Sequence, residues 1–139
     1  MMFNEKFMRL AIKEGKKGDF PFGAIIVKNN RILSAAHNTA KSDSTAHAEI
    51  NAIRKACKKL GNTNLSGCTL YSTCEPCPMC FTAAWWSRIS KIVYGAEGKD
   101  VPEDEWKIDV SCAYLNRKSG SKINIKGGFL RDECKKLFE

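Results

Sequence analysis

Two short motifs carry the residues best suited to chemistry, His-Ala-Glu at 47–49 and Pro-Cys-Pro-Met-Cys at 76–80. His47, Cys77 and Cys80 are zinc ligands by residue type, and a catalytic zinc takes three protein ligands and leaves its fourth position to water. Zinc lowers the pKa of bound water from 15.7 to roughly 7, which makes a nucleophile available at neutral pH. A carboxylate that is not a ligand can then move protons, and Glu49 suits that catalytic role. The motifs predict a hydrolytic site with one Zn2+ per chain.

Two overlapping Cys-x-x-Cys units, Cys74/Cys77 and Cys77/Cys80, leave two alternatives open. Cys74 can close a four-ligand structural zinc site, and a Cys-x-x-Cys pair can be a redox site. A closed zinc site would leave Glu49 without a role. Cys74 is also predicted to end a strand, whereas Cys77 and Cys80 are three residues apart and would share one face of a helix. We therefore expect Cys74 to lie outside the ligand set.

The two motifs have the composition and order of the zinc deaminase signature. The chain from Pro21-Phe22-Gly23-Ala24 through residues 45–49 and 74–80 to Ser87-Arg88-Ile89 resembles the cytidine deaminase superfamily. A histidine as first ligand and the run Glu-Pro-Cys-x-Met-Cys are similar to the branch of guanine deaminases, fungal-type cytosine deaminases and tRNA wobble adenosine deaminases. The resemblance implies zinc-dependent hydrolytic deamination of an amino-bearing nucleobase or nucleoside, release of ammonia, and a homodimer.

Different parts of the sequence favour two different substrates. Residues 73–80 together with Phe22 look more like guanine deaminases, and we expect a small purine such as guanine as the substrate. Residues 87–89 and 127–134 look more like tRNA adenosine deaminases, and the net charge of +8 would suit a tRNA partner. Deamination of the tRNA wobble adenosine is therefore the alternative. A non-catalytic, zinc-stabilised binding module is the third possibility.

Four residues are predicted to contact the substrate. Asn38 stands at the end of the second predicted strand, where the family has a substrate-binding asparagine, and its amide offers both a donor and an acceptor. The alternative for Asn38 is an ordinary turn residue. Phe22 and Trp86 are candidates for stacking on a flat ring, with core packing as their alternative. The backbone of Ala46 is expected to orient the base.

The side chains of Trp85 and Trp86 cannot both face one cleft, because adjacent helix positions point about 100° apart. One of them is therefore expected to be structural or interfacial. Trp86 is assigned to the substrate because guanine deaminases resemble this chain in having an aromatic residue there. Trp106, Asp104 and Asp109 belong to a segment that is expected to fold over the pocket.

Hydrophobic periodicity and turn residues predict the elements that must position these side chains. The predicted helices cover residues 2–15, 46–60, 77–87, 108–115 and 129–138, and the predicted strands cover 22–28, 31–37, 68–73, 91–94 and 123–125. Ser44 or Thr45 is expected to cap the second helix, and Pro76 to begin the third. The alternation of strands and helices predicts a layered α/β sheet. The resemblance implies a three-layer α/β/α sandwich around a five-stranded mixed sheet, with zinc between two helix ends.

Length and composition limit the remaining possibilities. A chain of 139 residues is near the common size of one domain, and we expect a single zinc-dependent deaminase domain over 1–139. No apolar run approaches 18 residues, so no membrane span is expected. The N-terminus lacks the apolar core of a signal peptide, and the seven cysteines are expected to be thiols, which predicts a cytoplasmic location. Many lysines fall at predicted helix C-termini, so a solvated surface is the alternative to a nucleic-acid interface.

Overall fold

A five-stranded mixed sheet with the order β2-β1-β3-β4-β5 lies at the centre of the computed structural model, which describes residues 3–102 and 107–139. The strands are β1 Gly23–Lys28, β2 Arg31–His37, β3 Cys68–Cys74, β4 Lys91–Ala96 and β5 Asn124–Lys126. Strand β1 is antiparallel to β2 and to β3, whereas β3–β4 and β4–β5 are parallel pairs. The expected five-stranded mixed sheet is confirmed.

Helices cover both faces of the sheet. They are α1 Glu5–Gly15, α2 Ala48–Leu60, α3 Pro78–Trp86, α4 Cys112–Lys118 and α5 Arg131–Lys135, with short 3-10 helices at Gly98–Asp100 and Lys136–Phe138. One core packs α2, α3 and α4 against the sheet, and the other packs α1 and α5 against the opposite face. The three-layer α/β/α sandwich is thus confirmed. In the described part of the chain, no helix has the length and apolar character needed to span a membrane.

Strand β1 supplies side chains to both cores, because successive residues of a strand point to opposite faces. Ala24 and Ile26 belong to the core beneath α2 and α3, and Ile25 and Val27 belong to the core beneath α1. The β1–β2 hairpin closes through Asn29-Asn30, which have φ values of 49° and 62°. Asparagine tolerates this left-handed region better than most residues, so the predicted turn is confirmed.

Two helix starts differ from the prediction. Helix α2 begins at Ala48, and its N-cap is His47, not Ser44 or Thr45. The backbone N–H and the hydroxyl of Thr45 donate to Asp43 Oδ1, at 2.9 and 2.8 Å, which holds Thr45 in the loop before the helix. Helix α3 begins at Pro78, so the proline of its first turn is Pro78 and not Pro76.

The C-terminal helices also differ from the prediction. The helix predicted over 108–115 is α4, which begins at Cys112 because Ser111 caps it by accepting a hydrogen bond from Tyr114 N–H at 3.1 Å. The helix predicted over 129–138 begins only after Leu130, whose φ of 52° is left-handed. It also tightens into a 3-10 turn over its last residues. Trp106 and Asp104 lie outside the described residues, and Asp109 is exposed.

Candidate active site

The N-termini of α2 and α3 bring the two motifs together. His47 is the N-cap of α2 and Cys77 is the N-cap of α3, and neither side chain makes a capping hydrogen bond to its own helix. Both side chains are therefore available to a ligand. His47 Nδ1 lies 3.6 Å from Cys77 Sγ and 3.6 Å from Cys80 Sγ. The three donor atoms lie within 4.8 Å of one another.

These distances fit a tetrahedral zinc ion. With Zn–N of about 2.05 Å, Zn–S of about 2.3 Å and tetrahedral angles, a ligand nitrogen and sulfur should be about 3.6 Å apart, which agrees with both observed separations. Cys74 does not join the cluster. It ends β3, and its thiol lies 3.9 Å from the carbonyl oxygen of Glu97. Among the described residues the ligand set therefore has three members, as the motifs predicted.

The surroundings of the two ligand thiols shift their pKa values in opposite directions. A hydrogen bond from Cys80, assisted by His47, lowers the pKa of Cys77 to about 4 despite burial. The same hydrogen bond, together with burial, raises the pKa of Cys80. Sulfur binds zinc as thiolate, so binding of the metal by Cys80 must displace the proton that its raised pKa retains. Burial instead raises the pKa of Cys74 and keeps it a thiol.

Glu49 lies next to the ligand cluster as the second residue of α2. Only 6% of its surface is exposed. Burial raises the pKa of its carboxyl to about 7, and the negative charge of Cys77 adds to the rise, while His47 and Ser72 oppose it. A carboxyl with a pKa near neutrality can both accept and donate a proton under physiological conditions.

Asn38 is held firmly at the end of β2. Its backbone N–H donates to Phe22 O at 3.2 Å, and its carbonyl accepts from Asp19 N–H at 2.9 Å. Its side-chain Oδ1 accepts from Ala40 N–H at 2.8 Å, which orients the amide group. Within the described residues, Asn38 Nδ2 has no hydrogen-bond partner. Asn38 is therefore a turn residue that still presents a free donor.

Asn51 is a site residue that the motif analysis missed. Its Nδ2 donates to His37 O at 2.9 Å, to Thr39 Oγ1 at 3.0 Å and to Ala46 O at 3.3 Å. Its backbone N–H bonds His47 O at 2.9 Å. One side chain thereby connects both ends of the loop between β2 and α2. The only sequence signal was its position four residues after His47, on the same side of α2.

Glu75 is a second residue whose role the sequence did not reveal. It directly precedes the Pro-Cys motif, and its carboxylate accepts hydrogen bonds from Gly98 N–H at 3.1 Å and from Cys112 N–H at 3.0 Å. The Cys112 thiol in turn donates to Pro76 O at 3.2 Å. These bonds connect the zinc-binding turn to the start of α4 and to the 3-10 helix at Gly98–Asp100.

Two other predicted substrate residues have partners inside the protein. Phe22 is half-buried and packs against both cores, with its ring centroid 5.8 Å from that of Phe138. The Ala46 N–H donates to Asp43 O at 2.8 Å, and the Ala46 carbonyl accepts from Thr39 N–H at 2.9 Å. Contact of Phe22 and Ala46 with the substrate stays a prediction.

The two tryptophans at the end of α3 have different surroundings. Trp85 packs against the core beneath α2 and α3, and its Nε1 is buried without a hydrogen-bond partner among the described residues. Trp86 is 72% exposed and packs edge to face on Trp85, with 5.0 Å between the ring centroids. Trp85 is therefore structural. Contact of Trp86 with the substrate stays a prediction.

Comparison with known proteins agrees with this geometry. Residues 1–96 match the cytidine and deoxycytidylate deaminase zinc-binding region. The guanine deaminase of Bacillus subtilis (strain 168) is 46% identical over 109 residues, which cover 73% of this chain and 70% of that protein. The tRNA-specific adenosine deaminase of the same organism is 48% identical over 140 residues, which cover 96% of this chain and 85% of that protein.

A solved structure from work on A-to-I editing by tRNA:A34 deaminases at the wobble position has a TM-score of 0.83 and 31% identity, covering 96% of this chain and 99% of that chain. The matched region contains the zinc-ligand cluster of His47, Cys77 and Cys80. The chain therefore belongs to the cytidine and deoxycytidylate deaminase family and is a zinc-dependent deaminase.

Proposed function

We propose that this deaminase acts on tRNA and converts the wobble adenosine to inosine. The observation that carries the proposal is the 48% identity to a tRNA-specific adenosine deaminase over 96% of this chain, which extends into the C-terminal third. The net charge of +8 supports a polyanionic substrate. This order reverses the preference for guanine that residues 73–80 together with Phe22 suggested.

Guanine is the second candidate substrate. A guanine deaminase is 46% identical to this chain, but the similarity covers only 73% of it. Both reactions replace an exocyclic amino group on a purine by oxygen, consuming one water and releasing one ammonia. The two candidates therefore require the same metal site and differ in how the purine is presented.

The catalytic roles follow from the site. His47, Cys77 and Cys80 would hold a zinc ion, which would supply an activated water at neutral pH. Glu49 is placed to accept a proton from the attacking water, to pass it to the ring nitrogen next to the reacting carbon, and to assist the amino group to leave as ammonia. Asn38 offers its Nδ2 donor to the base, and Phe22, Trp86 and the Ala46 backbone are proposed to position the ring.

The substrate assignment is tested by incubating zinc-loaded protein with a tRNA anticodon stem-loop and, separately, with guanine, guanosine, adenine, adenosine, cytosine and cytidine. We expect inosine in the stem-loop. Ammonia release from guanine without inosine formation would instead establish the second candidate.

The proton carrier is tested with Glu49→Gln. Loss of a positioned general acid or base typically costs about 10²–10⁴-fold in rate, and we expect turnover to fall by at least the lower value while one zinc ion stays bound. Glu5→Gln is the control, because Glu5 is exposed and lies on α1. Unchanged turnover in Glu49→Gln would refute the assigned role. If the unaltered protein binds zinc but converts none of the tested substrates, the result would favour a non-catalytic binding module.

We also propose a homodimer in the cytoplasm. The exposed Trp86 at the end of α3 supports a contact with a second copy, because tryptophan is enriched among the residues that anchor protein interfaces. All seven cysteines are unpaired, as expected for a reducing compartment.

A further inference from the structure

A surface cavity of about 280 Å³ lies beside the loop that holds Asn38. Its lining residues are His37, Thr39, Asn51, Arg54 and Lys55. Each of these side chains carries a nitrogen or hydroxyl that can donate a hydrogen bond, and none of them is a carboxylate. The composition of the lining suits an anion.

The cavity lies close to the active site. Thr39 directly follows Asn38. Arg54 is seven residues after the zinc ligand His47 on α2, a rise of about 10 Å along the helix axis, and Lys55 is its neighbour. This separation is comparable to the distance from a nucleotide's base to a phosphate of the same or the next nucleotide.

Donors in the cavity remain available. The contact of Arg54 with Asp43 is a loose one of 3.8 Å between two mostly exposed side chains. Lys55 Nζ bonds only Ala35 O, at 3.1 Å, which leaves two of its three N–H groups. Thr39 Oγ1 accepts a hydrogen bond from Asn51 and keeps its own proton. These statements refer to contacts within residues 3–102 and 107–139.

Two carboxylates contact residues of the cavity lining, and both already have other partners. Asp43 Oδ1 accepts from the N–H and the hydroxyl of Thr45. Glu14 contacts His37 Nδ1 at 3.1 Å and Lys17 Nζ at 2.7 Å. Neither carboxylate lines the cavity. The cavity lining thus includes one guanidinium and one ammonium group and no carboxylate.

We propose that Arg54 and Lys55 form a phosphate subsite, which holds a phosphate of the substrate while its base lies against Asn38. Arginine offers a planar pair of N–H donors to phosphate and lysine a point charge, and both are the usual partners of nucleic-acid phosphates. The inference rests on the proposed function, since it assigns the substrate a phosphate near the reacting base. It makes this chain selective for a nucleotide within RNA, or a free nucleotide, over a free base.

The test compares two double variants with the same loss of charge. Arg54→Ala/Lys55→Ala removes the subsite. Lys58→Ala/Lys59→Ala removes two exposed cations from the last turn of the same helix, outside the cavity. Both are made in the zinc-loaded Glu49→Gln background, so that ligands bind without turnover. Fluorescence anisotropy of a labelled anticodon stem-loop gives Kd as a function of salt.

We expect the subsite variant to raise Kd for the stem-loop at least about tenfold near 0.1 M salt. The slope of log Kd against log salt should fall by about 0.7, because the one phosphate held by Arg54 and Lys55 contributes roughly that much on a single strand. The Lys58/Lys59 control should change Kd much less. Equal changes in the two double variants, or none in the first, would overturn the proposal.

Adenosine 5′-monophosphate and adenosine distinguish the source of the phosphate. If binding of both the monophosphate and the stem-loop depends on Arg54 and Lys55, the subsite accepts any nucleotide phosphate. If only binding of the stem-loop depends on them, the subsite is specific for the RNA backbone. If neither the monophosphate nor the stem-loop binds, the proposed subsite is overturned. If phosphate ligands bind through Arg54 and Lys55 but the active enzyme converts none of the tested substrates, the subsite stands and the proposed function fails.

Discussion

At the scale of single residues, the site separates three cysteines that are close in sequence into two classes. Cys77 and Cys80 face His47 Nδ1, whereas Cys74 ends β3 and contacts the Glu97 carbonyl. The separation arises because the chain turns at Pro76 between the strand and the helix. Because His47, Cys77 and Cys80 form the ligand set, the Glu49 carboxylate is not needed as a zinc ligand and can transfer protons.

Alanine variants of two buried cysteines test this division. Cys80→Ala removes one of three ligands, so we expect zinc content to fall well below one per chain and the melting temperature to drop, since bound metal stabilises the folded state by mass action. Cys74→Ala removes a similar buried thiol and should keep one zinc ion. Metal analysis after dialysis measures both. Loss of zinc from Cys74→Ala would support the closed four-ligand site.

At the scale of elements, Glu75 connects parts of the fold that are far apart in sequence. Its carboxylate bonds the backbone of Gly98 and of Cys112, and it stands next to the zinc-binding turn. Hydrogen bonds to a charged group are worth about 1.5–3 kcal/mol each, and a donor left unpaired in the interior adds to the loss.

We therefore expect Glu75→Gln, which keeps one carbonyl oxygen but turns an NH2 group toward one amide, to lower the free energy of unfolding by about 1.5–3 kcal/mol. Urea unfolding of the zinc-loaded protein measures the change, and Glu5→Gln on exposed α1 is the control. Full stability of Glu75→Gln would show that the two amides find other partners.

A second contact between two elements predicts that the folding stability depends on pH. Arg131 of α5 donates to both oxygens of Asp100 in the 3-10 helix, at 2.9 and 2.8 Å, and this contact lowers the pKa of Asp100 to about 2. The unfolded chain then binds more protons than the folded one between about pH 4 and pH 2, so this contribution to stability is present above that window and is lost as the pH falls through it.

Asp100→Asn should reduce stability near neutral pH and make the loss of stability between about pH 4 and pH 2 shallower. Denaturation midpoints of Asp100→Asn and of the unaltered protein at a series of pH values measure both effects. Asp109→Asn, at an exposed carboxylate, serves for comparison. An identical acid profile for Asp100→Asn and the unaltered protein would contradict the role of the contact.

At the scale of the whole molecule, charge and exposed aromatic surface indicate how the protein meets its partners. The net charge of +8 favours a polyanion, and Trp86 leaves 72% of its surface in solvent. The tryptophan is the last residue of α3, and Cys77 and Cys80 lie at the other end of this helix, so a second copy bound there would lie about 12 Å along the helix axis from the zinc ligands.

Sedimentation velocity tests the homodimer. We expect the unaltered protein to sediment as a dimer at micromolar concentration and Trp86→Ser to shift toward the monomer, because truncating a central aromatic anchor commonly costs about 2 kcal/mol or more. Phe20→Ser is the matched control, since Phe20 is an exposed aromatic residue that precedes β1. A dimer that persists in Trp86→Ser would locate the contact elsewhere.

The sequence by itself determined the zinc ligands, the candidate proton carrier and the sheet. His47, Cys77, Cys80 and Glu49 were identified because their chemistry depends on residue type and on short spacings within the chain. The strands and the Asn29-Asn30 turn followed from local periodicity and from the tolerance of asparagine for positive φ. Helix ends were less accurate, because a cap depends on which partner its side chain finds.

Only the tertiary structure decided the contacts between distant segments. His47 and Cys77 became neighbouring N-caps, Glu75 reached the start of α4, and Asn51 connected the two ends of the loop around Asn38. The cavity of Arg54 and Lys55 had no signal in the sequence, whereas helix geometry alone already predicted that Trp85 and Trp86 differ in their surroundings. Such features depend on how the helices pack on the sheet, and this packing joins residues whose separation along the chain carries no local pattern.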